Sequence, residues 1–308
     1  MKGRVGRRLR RGLARRLVLF ISAFAARGGA NRIRRIGRWI GAVHHALSWP
    51  FTGRLRRDIA RALSISRGEA ASALRTAYLE SDRAVFEIIS LARPECDVDE
   101  LIGSVSVDDC EEIDRAAVEG KGMILLGMHM GNGILMAAHL ARKGYPVTVV
   151  YRDPRRLPPG LLGTGLERAG LGTIALDREN PTRSFREMLR RISRGNMLYV
   201  LMDQANKAEG TPRRFLGKPL RMPIGVPRLA TRTGAPVVPI HAESASPDWR
   251  FRVHPPLSAD SPEALLDAII DSMESAIRER PELWAWHHRR WKRYHFDTEP
   301  DPGNPSCP

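Results

Sequence analysis

Met123-Ile-Leu-Leu-Gly127-Met-His129-Met-Gly-Asn132-Gly-Ile134 decides how this chain folds. The apolar run ending at Met128 reads as a buried strand, and the glycine-rich turn after it leads into a helical pattern over Asn132–Lys143. A strand that feeds a helix through a tight turn delivers His129 to the carboxyl end of the strand. That edge is where open α/β sheets hold their chemistry. An imidazole there can take a proton from a hydroxyl near neutral pH. Asn132 is placed to cap the helix that follows, whose free N–H groups suit an oxyanion. The glycine spacing matches neither the dinucleotide fingerprint nor the P-loop.

The same alternation continues outward. Strands are predicted at Val147–Tyr151, Thr173–Leu176, Met197–Met202 and Val237–Ile240, with one more at Trp249–Val253. Helices are predicted at Leu161–Ala169, Thr182–Arg194, Gly225–Thr233 and Pro262–Arg280, and before the sheet over residues 54–93. The expected fold class is α/β, a mostly parallel central sheet flanked by helices, preceded by a basic amphipathic helical region. The expected division is residues 1–50 for those amphipathic helices, 51–296 for the α/β domain and 297–308 for a disordered tail.

Charge is distributed unevenly. The first 70 residues hold 18 of the 50 basic side chains and 2 of the 34 acidic ones, so the whole excess of +16 lies there. Leu13, Leu17, Phe20, Ile21 and Phe24 fall at helical spacing among Arg7, Arg8, Arg10, Arg11, Arg15 and Arg16. A second stripe, Ile33, Ile36, Ile40, Val43 and Leu47, runs beside Arg32, Arg34, Arg35 and Arg38. Apolar faces rimmed with arginine suit the headgroup layer of an anionic membrane, and that is the favoured reading. Three others compete: a secretory signal ending at Ala23-Phe-Ala25, a nucleic-acid-binding arm, and solvated helices packed on the body. No aromatic stacking platform or base-reading motif accompanies the charge, so no nucleic-acid partner is expected. No apolar run is long enough for a spanning helix. Cys96, Cys110 and Cys307 have no paired spacing, which suggests a reducing compartment.

Three further places could carry chemistry. Asp203-Gln204 ends the strand Met197–Met202 and would share the sheet edge with His129, where a carboxylate can orient and charge-stabilise an imidazole. A turn-capping Asp is the alternative. Tyr151-Arg152 ends another strand, and Arg152 can grip a phosphate or carboxylate or simply pair at the surface. The segment Trp284-Ala-Trp286-His287-His288-Arg289-Arg290-Trp291-Lys292-Arg293 interleaves aromatics with cations. It suits a lipid interface or phosphate-bearing lipid, or else an amphipathic closing helix that buries its tryptophans. His287 and His288 are adjacent rather than spaced as a helical metal pair, so no metal site is expected. The absence of a G-x-S-x-G elbow argues against a serine hydrolase.

Taken in order, these motifs, with Arg214-Phe-Leu-Gly217-Lys-Pro219 and Pro227-Arg-Leu-Ala-Thr-Arg-Thr-Gly234-Ala-Pro-Val-Val-Pro239, resemble the late acyltransferases of lipid A biosynthesis. Phosphatidylinositol mannoside acyltransferases and, more distantly, glycerolipid acyltransferases are among the relatives of that family. The resemblance covers roughly residues 10 to 293. It implies transfer of a fatty acyl group from acyl-carrier protein or acyl-CoA to a hydroxyl of a lipid or glycolipid, with no cofactor beyond that thioester. In such enzymes the motif histidine deprotonates the acceptor, a role that passes to His129. Asn132, Arg152, Gln204 and Arg289 are expected to contact substrate. The implied location is the cytoplasmic face of the inner membrane, held peripherally against an anionic surface.

One position departs from the pattern. A carboxylate usually stands five residues after the histidine, and Ile134 stands there in this chain. Either Asp203 replaces it as the partner of His129, or the protein has changed its activity and binds acyl or lipid ligands without transferring them. The first is favoured, because a protein released from chemistry has no need of a polar cluster at one sheet edge.

Overall fold

A computed structural model of the chain describes residues 16–154, 157–177, 179–204, 210–288 and 290. Helix α1 covers 16–26, and α2 (Gly29–Leu47), α3 (Trp49–Leu63) and α4 (Arg67–Leu91) complete a helical layer. The single helical span expected over 54–93 is broken. Ser64 adopts a left-handed conformation, and Ser66 and Glu69 form a reciprocal capping box that restarts the chain as α4. Helix α2 lies very close to α4. A Cβ on Gly41 would sit 2.6 Å from the Leu79 Cα, so only glycine permits that approach.

After α5 (Val98–Gly103), β1 (Ser106–Asp108) and α6 (Glu111–Val118) the alternating pattern begins: β2 (Met123–Gly127), α7 (Gly133–Arg142), β3 (Val147–Tyr151), α8 (Leu161–Arg168), β4 (Gly172–Ala175), α9 (Pro181–Ser193) and β5 (Met197–Leu201). A hairpin follows, β6 (Thr211–Phe215) and β7 (Lys218–Met222), then α10 (Gly225–Thr233), β8 (Val237–Ser244), β9 (Arg250–Val253) and α11 (Pro262–Glu279). The sheet order is β1-β9-β8-β2-β5-β3-β4, and every neighbouring pair is parallel except β8 with β9. The expected α/β class is therefore observed. Strand β2 is central and every residue in it is buried, as parallel strands covered on both faces require. The hairpin, β1, α5 and α6 were not anticipated. In β6 and β7 the short run Thr-Pro-Arg-Arg-Phe and its partner are too polar to stand out.

The two amino-terminal stripes are divided between core and surface. Ile33 is buried against the helical layer, and Ile21, Ile36 and Ile40 pack partly against the core. Leu17, Phe20, Phe24, Trp39, Leu47 and Trp49 remain exposed. Two of the arginines expected to face lipid instead pair with the protein: Arg34 with Asp248 at 3.1 Å and Arg38 with Glu80 at 3.2 Å. Leu13, the arginines before Arg16, and the 297–308 tail lie outside the described residues. Among the described residues no helix is long and apolar enough to cross a membrane.

Candidate active site

Register explains why two distant residues meet. Gly127 of β2 pairs with Leu201 of β5, so His129 and Asp203 each leave the sheet two residues further on at the same edge. The His129 Nδ1 lies 2.6 Å from Asp203 Oδ1, and the His129 backbone N–H donates to Asp203 Oδ2 at 3.0 Å. The imidazole is 26% exposed and the carboxylate is fully buried. Because Oδ1 can only accept while ionised, Nδ1 carries the proton, and in the neutral ring Nε2 is then the nitrogen with the lone pair. Gln204 Nε2 stands 3.1 Å from that nitrogen on an exposed side chain.

Two further side chains hold Asp203. Trp284 Nε1 donates to Oδ2 at 2.9 Å, the Arg290 guanidinium donates to the same oxygen, and Arg290 Nε donates to the backbone carbonyl at 2.7 Å. Arg290 also stacks over the Trp284 ring, 3.9 Å from its centroid. Burial pushes the Asp203 carboxyl up, but the charges of Arg290 and His129 and the bonds from His129 outweigh it. The carboxyl is held well below its usual range. It is therefore ionised at neutral pH.

The Trp284–Arg290 segment is thus neither a lipid-facing belt nor a continuous helix over the residues described. Residues Pro281–Leu283 and Trp286–His288 form 3-10 turns, Trp284 and Trp286 are buried, and the strap runs across the histidine turn. The Gly131 N–H donates to the Leu283 carbonyl, and the Ala285 N–H to the His129 carbonyl. The tryptophans lie inward because their ring N–H groups find acceptors there: Asp203 for Trp284 and the Pro281 carbonyl for Trp286. The His288 ring meets that of His129 edge-on at 4.8 Å.

The turn is shaped around Tyr199 of β5. A Cβ on Gly133 would lie 1.7 Å from the Tyr199 Oη, so glycine makes room for the phenol beneath the site. Asn132 caps α7 as expected, its Oδ1 accepting from the Leu135 N–H at 3.2 Å. Its amide nitrogen is also engaged, donating 2.8 Å to Glu87 Oε2, and the side chain is fully buried. Substrate contact by that side chain would require releasing one of these bonds. Glu87, on α4, also accepts from Trp249 Nε1 at 2.7 Å and Arg83 Nε at 2.8 Å, so it ties the helical layer to the turn. An acid in mid-helix gave no sequence signal of this role.

Arg152 is exposed at the carboxyl end of β3, which β5 separates from β2. Among the described residues no hydrogen bond or ion pair joins it to His129 or Asp203. Arg289 lies outside the described residues. Ile134 is partly buried and packs against the core, so no carboxylate is offered at that position.

A partly exposed imidazole backed by a buried, ionised carboxylate is the equipment of an enzyme that takes a proton from a hydroxyl. The chain belongs to the bacterial lipid A biosynthesis acyltransferase family, whose model matches residues 15–293, and it is an acyltransferase. It is 28% identical over 247 residues to a phosphatidylinositol mannoside acyltransferase of Mycobacterium tuberculosis, covering 77% of this chain and 76% of that protein. The corresponding Mycolicibacterium smegmatis protein is 27% identical over 241 residues, covering 77% and 78%. A lipid A biosynthesis acyltransferase of Haemophilus influenzae is 28% identical over 186 residues, covering 57% and 55%.

Proposed function

We propose that this protein moves a fatty acyl group from a thioester, on acyl-carrier protein or coenzyme A, to a hydroxyl of a glycolipid, with His129 as the general base. The observation that carries this reading is the 2.6 Å contact between His129 Nδ1 and the buried Asp203 carboxylate. It leaves Nε2, on the far side of the ring, as the nitrogen that accepts the hydroxyl proton once the acceptor displaces Gln204. The acceptor oxygen then attacks the thioester carbonyl carbon, giving a tetrahedral oxyanion. Collapse of that oxyanion breaks the carbon–sulfur bond, and the departing thiolate takes the proton back from Nε2. Asp203 stabilises the imidazolium between these two transfers, supplying the charge that Ile134 cannot. Gln204 occupies the Nε2 position until the acceptor hydroxyl replaces it.

The relatives with the greater coverage act, by name, on phosphatidylinositol mannosides, which favours a glycosylated phospholipid acceptor over a lipid A precursor. Exposed Phe20, Phe24, Trp39 and Trp49, beside an amino-terminal region of strong positive charge, support peripheral attachment to an anionic membrane. The cytoplasmic face of the inner membrane is the side where such thioesters are available. The test uses purified enzyme with each acceptor class in anionic vesicles and each thioester donor. Ester formation that disappears in His129→Ala is expected. Transfer that survives this change at the wild-type rate overturns the role of His129.

A further inference from the structure

Away from His129, three side chains from three separate elements converge on one point. His44 belongs to α2, Asp82 to α4 and His287 to the strap that crosses the active-site turn. One ligand-capable atom from each lies within 4.8 Å of the other two. His44 Nδ1 already stands 2.7 Å from Asp82 Oδ2. His287 supplies a second, independent observation: its Nδ1 is shut away from solvent and has no hydrogen-bond partner among the described residues. A buried polar nitrogen without a partner costs stability, and its presence in a native site calls for an explanation such as a missing ion.

We propose that His44, Asp82 and His287 form a zinc site that ties the strap to the helical layer. Two imidazoles and one carboxylate are a common zinc donor set, and bonds of about 2.0–2.1 Å place tetrahedral ligands roughly 3.3 Å apart. Separations of at most 4.8 Å must close by no more than about 1.5 Å to reach that spacing. Zinc entry opens the contact between His44 and Asp82, displaces the proton shared there, and engages the His287 imidazole. Water completes the fourth position.

The side chain of His44 is 44% exposed, so the ion has a path in. The rings of neighbouring residues brace the ligands. Tyr78 stacks on His287 at 4.6 Å and meets His44 edge-on at 4.9 Å. Adjacent His287 and His288 face different tasks: His287 turns toward His44, and His288 toward His129. Spacing along the chain could not reveal the site, because its ligands are 38 and more residues apart.

The consequence is positional. Arg290, three residues beyond His287, holds the Asp203 carboxylate, so zinc would pin the strap close to where it supports the His129 pair. Zinc takes no part in acyl transfer in this account, and its test reads binding and unfolding rather than turnover.

The experiment titrates chelator-treated protein with zinc in competition with a chromophoric chelator, and follows thermal unfolding with and without the metal. One zinc ion per chain and a zinc-dependent rise in Tm are expected for the wild type. His287→Ala and Asp82→Asn should each weaken binding by about 100-fold or more and remove the rise in Tm, since even loss of a supporting contact costs 10–100-fold. His288→Ala should bind as the wild type does. Absence of competitive binding by the wild type, or wild-type affinity in His287→Ala, overturns the proposal. Because the wild-type titration needs no variant, a poorly folding substitution leaves the test intact.

Discussion

Replacing Asp203 with Asn changes one atom's chemistry and should remove nearly all activity. In the wild type Oδ2 accepts from three donors, the His129 N–H, Trp284 Nε1 and Arg290, while Oδ1 faces His129 Nδ1. Asparagine has one oxygen, and the three donors will claim it. Its NH2 then faces Nδ1, which must become the acceptor, and the ring proton moves to Nε2. The base is present but in the wrong tautomer. The equivalent change in a serine-protease triad costs about 10⁴ in kcat, or roughly 5.5 kcal/mol of transition-state stabilisation. The same substitution leaves the Arg290 guanidinium buried without its counter-ion. Stability should fall by about 3–5 kcal/mol, as when one partner of a buried ion pair is removed. Two assays separate the effects: steady-state acyl transfer at saturating donor, and denaturant unfolding. The double variant Asp203→Asn/Arg290→Met should regain much of the stability and none of the rate. A folded Asp203→Asn enzyme within tenfold of the wild type would refute the tautomer argument.

Three other expectations follow from different parts of the molecule. Gly133→Ala drives a methyl against the Tyr199 Oη and should cost about 1–3 kcal/mol by overpacking, partly restored by adding Tyr199→Phe; equal unfolding midpoints for the single variant and wild type would contradict this. His241 is buried, its Nε2 has no partner among the described residues, and burial first, then its neighbour His254, lowers its pKa to about 3. The unfolded state, with a pKa of about 6.5, therefore binds the proton more readily, so stability should fall as pH drops from about 6.5 toward 3. His241→Leu should flatten that slope in urea titrations at a series of pH values. Phe20→Ser/Trp49→Ser should reduce sedimentation with anionic vesicles, most clearly at high salt where the arginines are screened; unchanged sedimentation would remove these side chains from the membrane contact.

The sheet edge was legible because parallel strands obey strict neighbour rules. Once Met123–Gly127 and Met197–Leu201 are read as strands, His129 and Asp203 sit at equal distances beyond their ends. Adjacency of the strands was the remaining step, and the parallel ladder supplies it. The cap by Asn132 was readable for the same local reason. Contacts that the strap makes were not readable. Trp284 and Arg290 reach Asp203 across 81 and 87 residues, and aromatics mixed with cations look alike whether they face lipid or enclose a carboxylate. Glu87 was hidden because a charged residue inside a helix ordinarily faces water, and these three donors come from α4 itself, the β2–α7 turn and the residue just before β9. The second amino-terminal stripe reads as lipid-facing, whereas the close α2–α4 crossing takes Ile33 inward and packs Ile36 and Ile40 partly against the core.

The partition of the His129–Asp203 pair between two strands has a practical use if the pair handles the proton as proposed. His129 follows β2 and its carboxylate follows β5, so a chain cut in the intervening region leaves each piece chemically incomplete. Neither fragment alone could turn over a thioester by this route, and catalysis would report only reunion of the two halves. This arrangement makes the protein a natural candidate for a complementation sensor in which ester synthesis signals that two tethered partners have met.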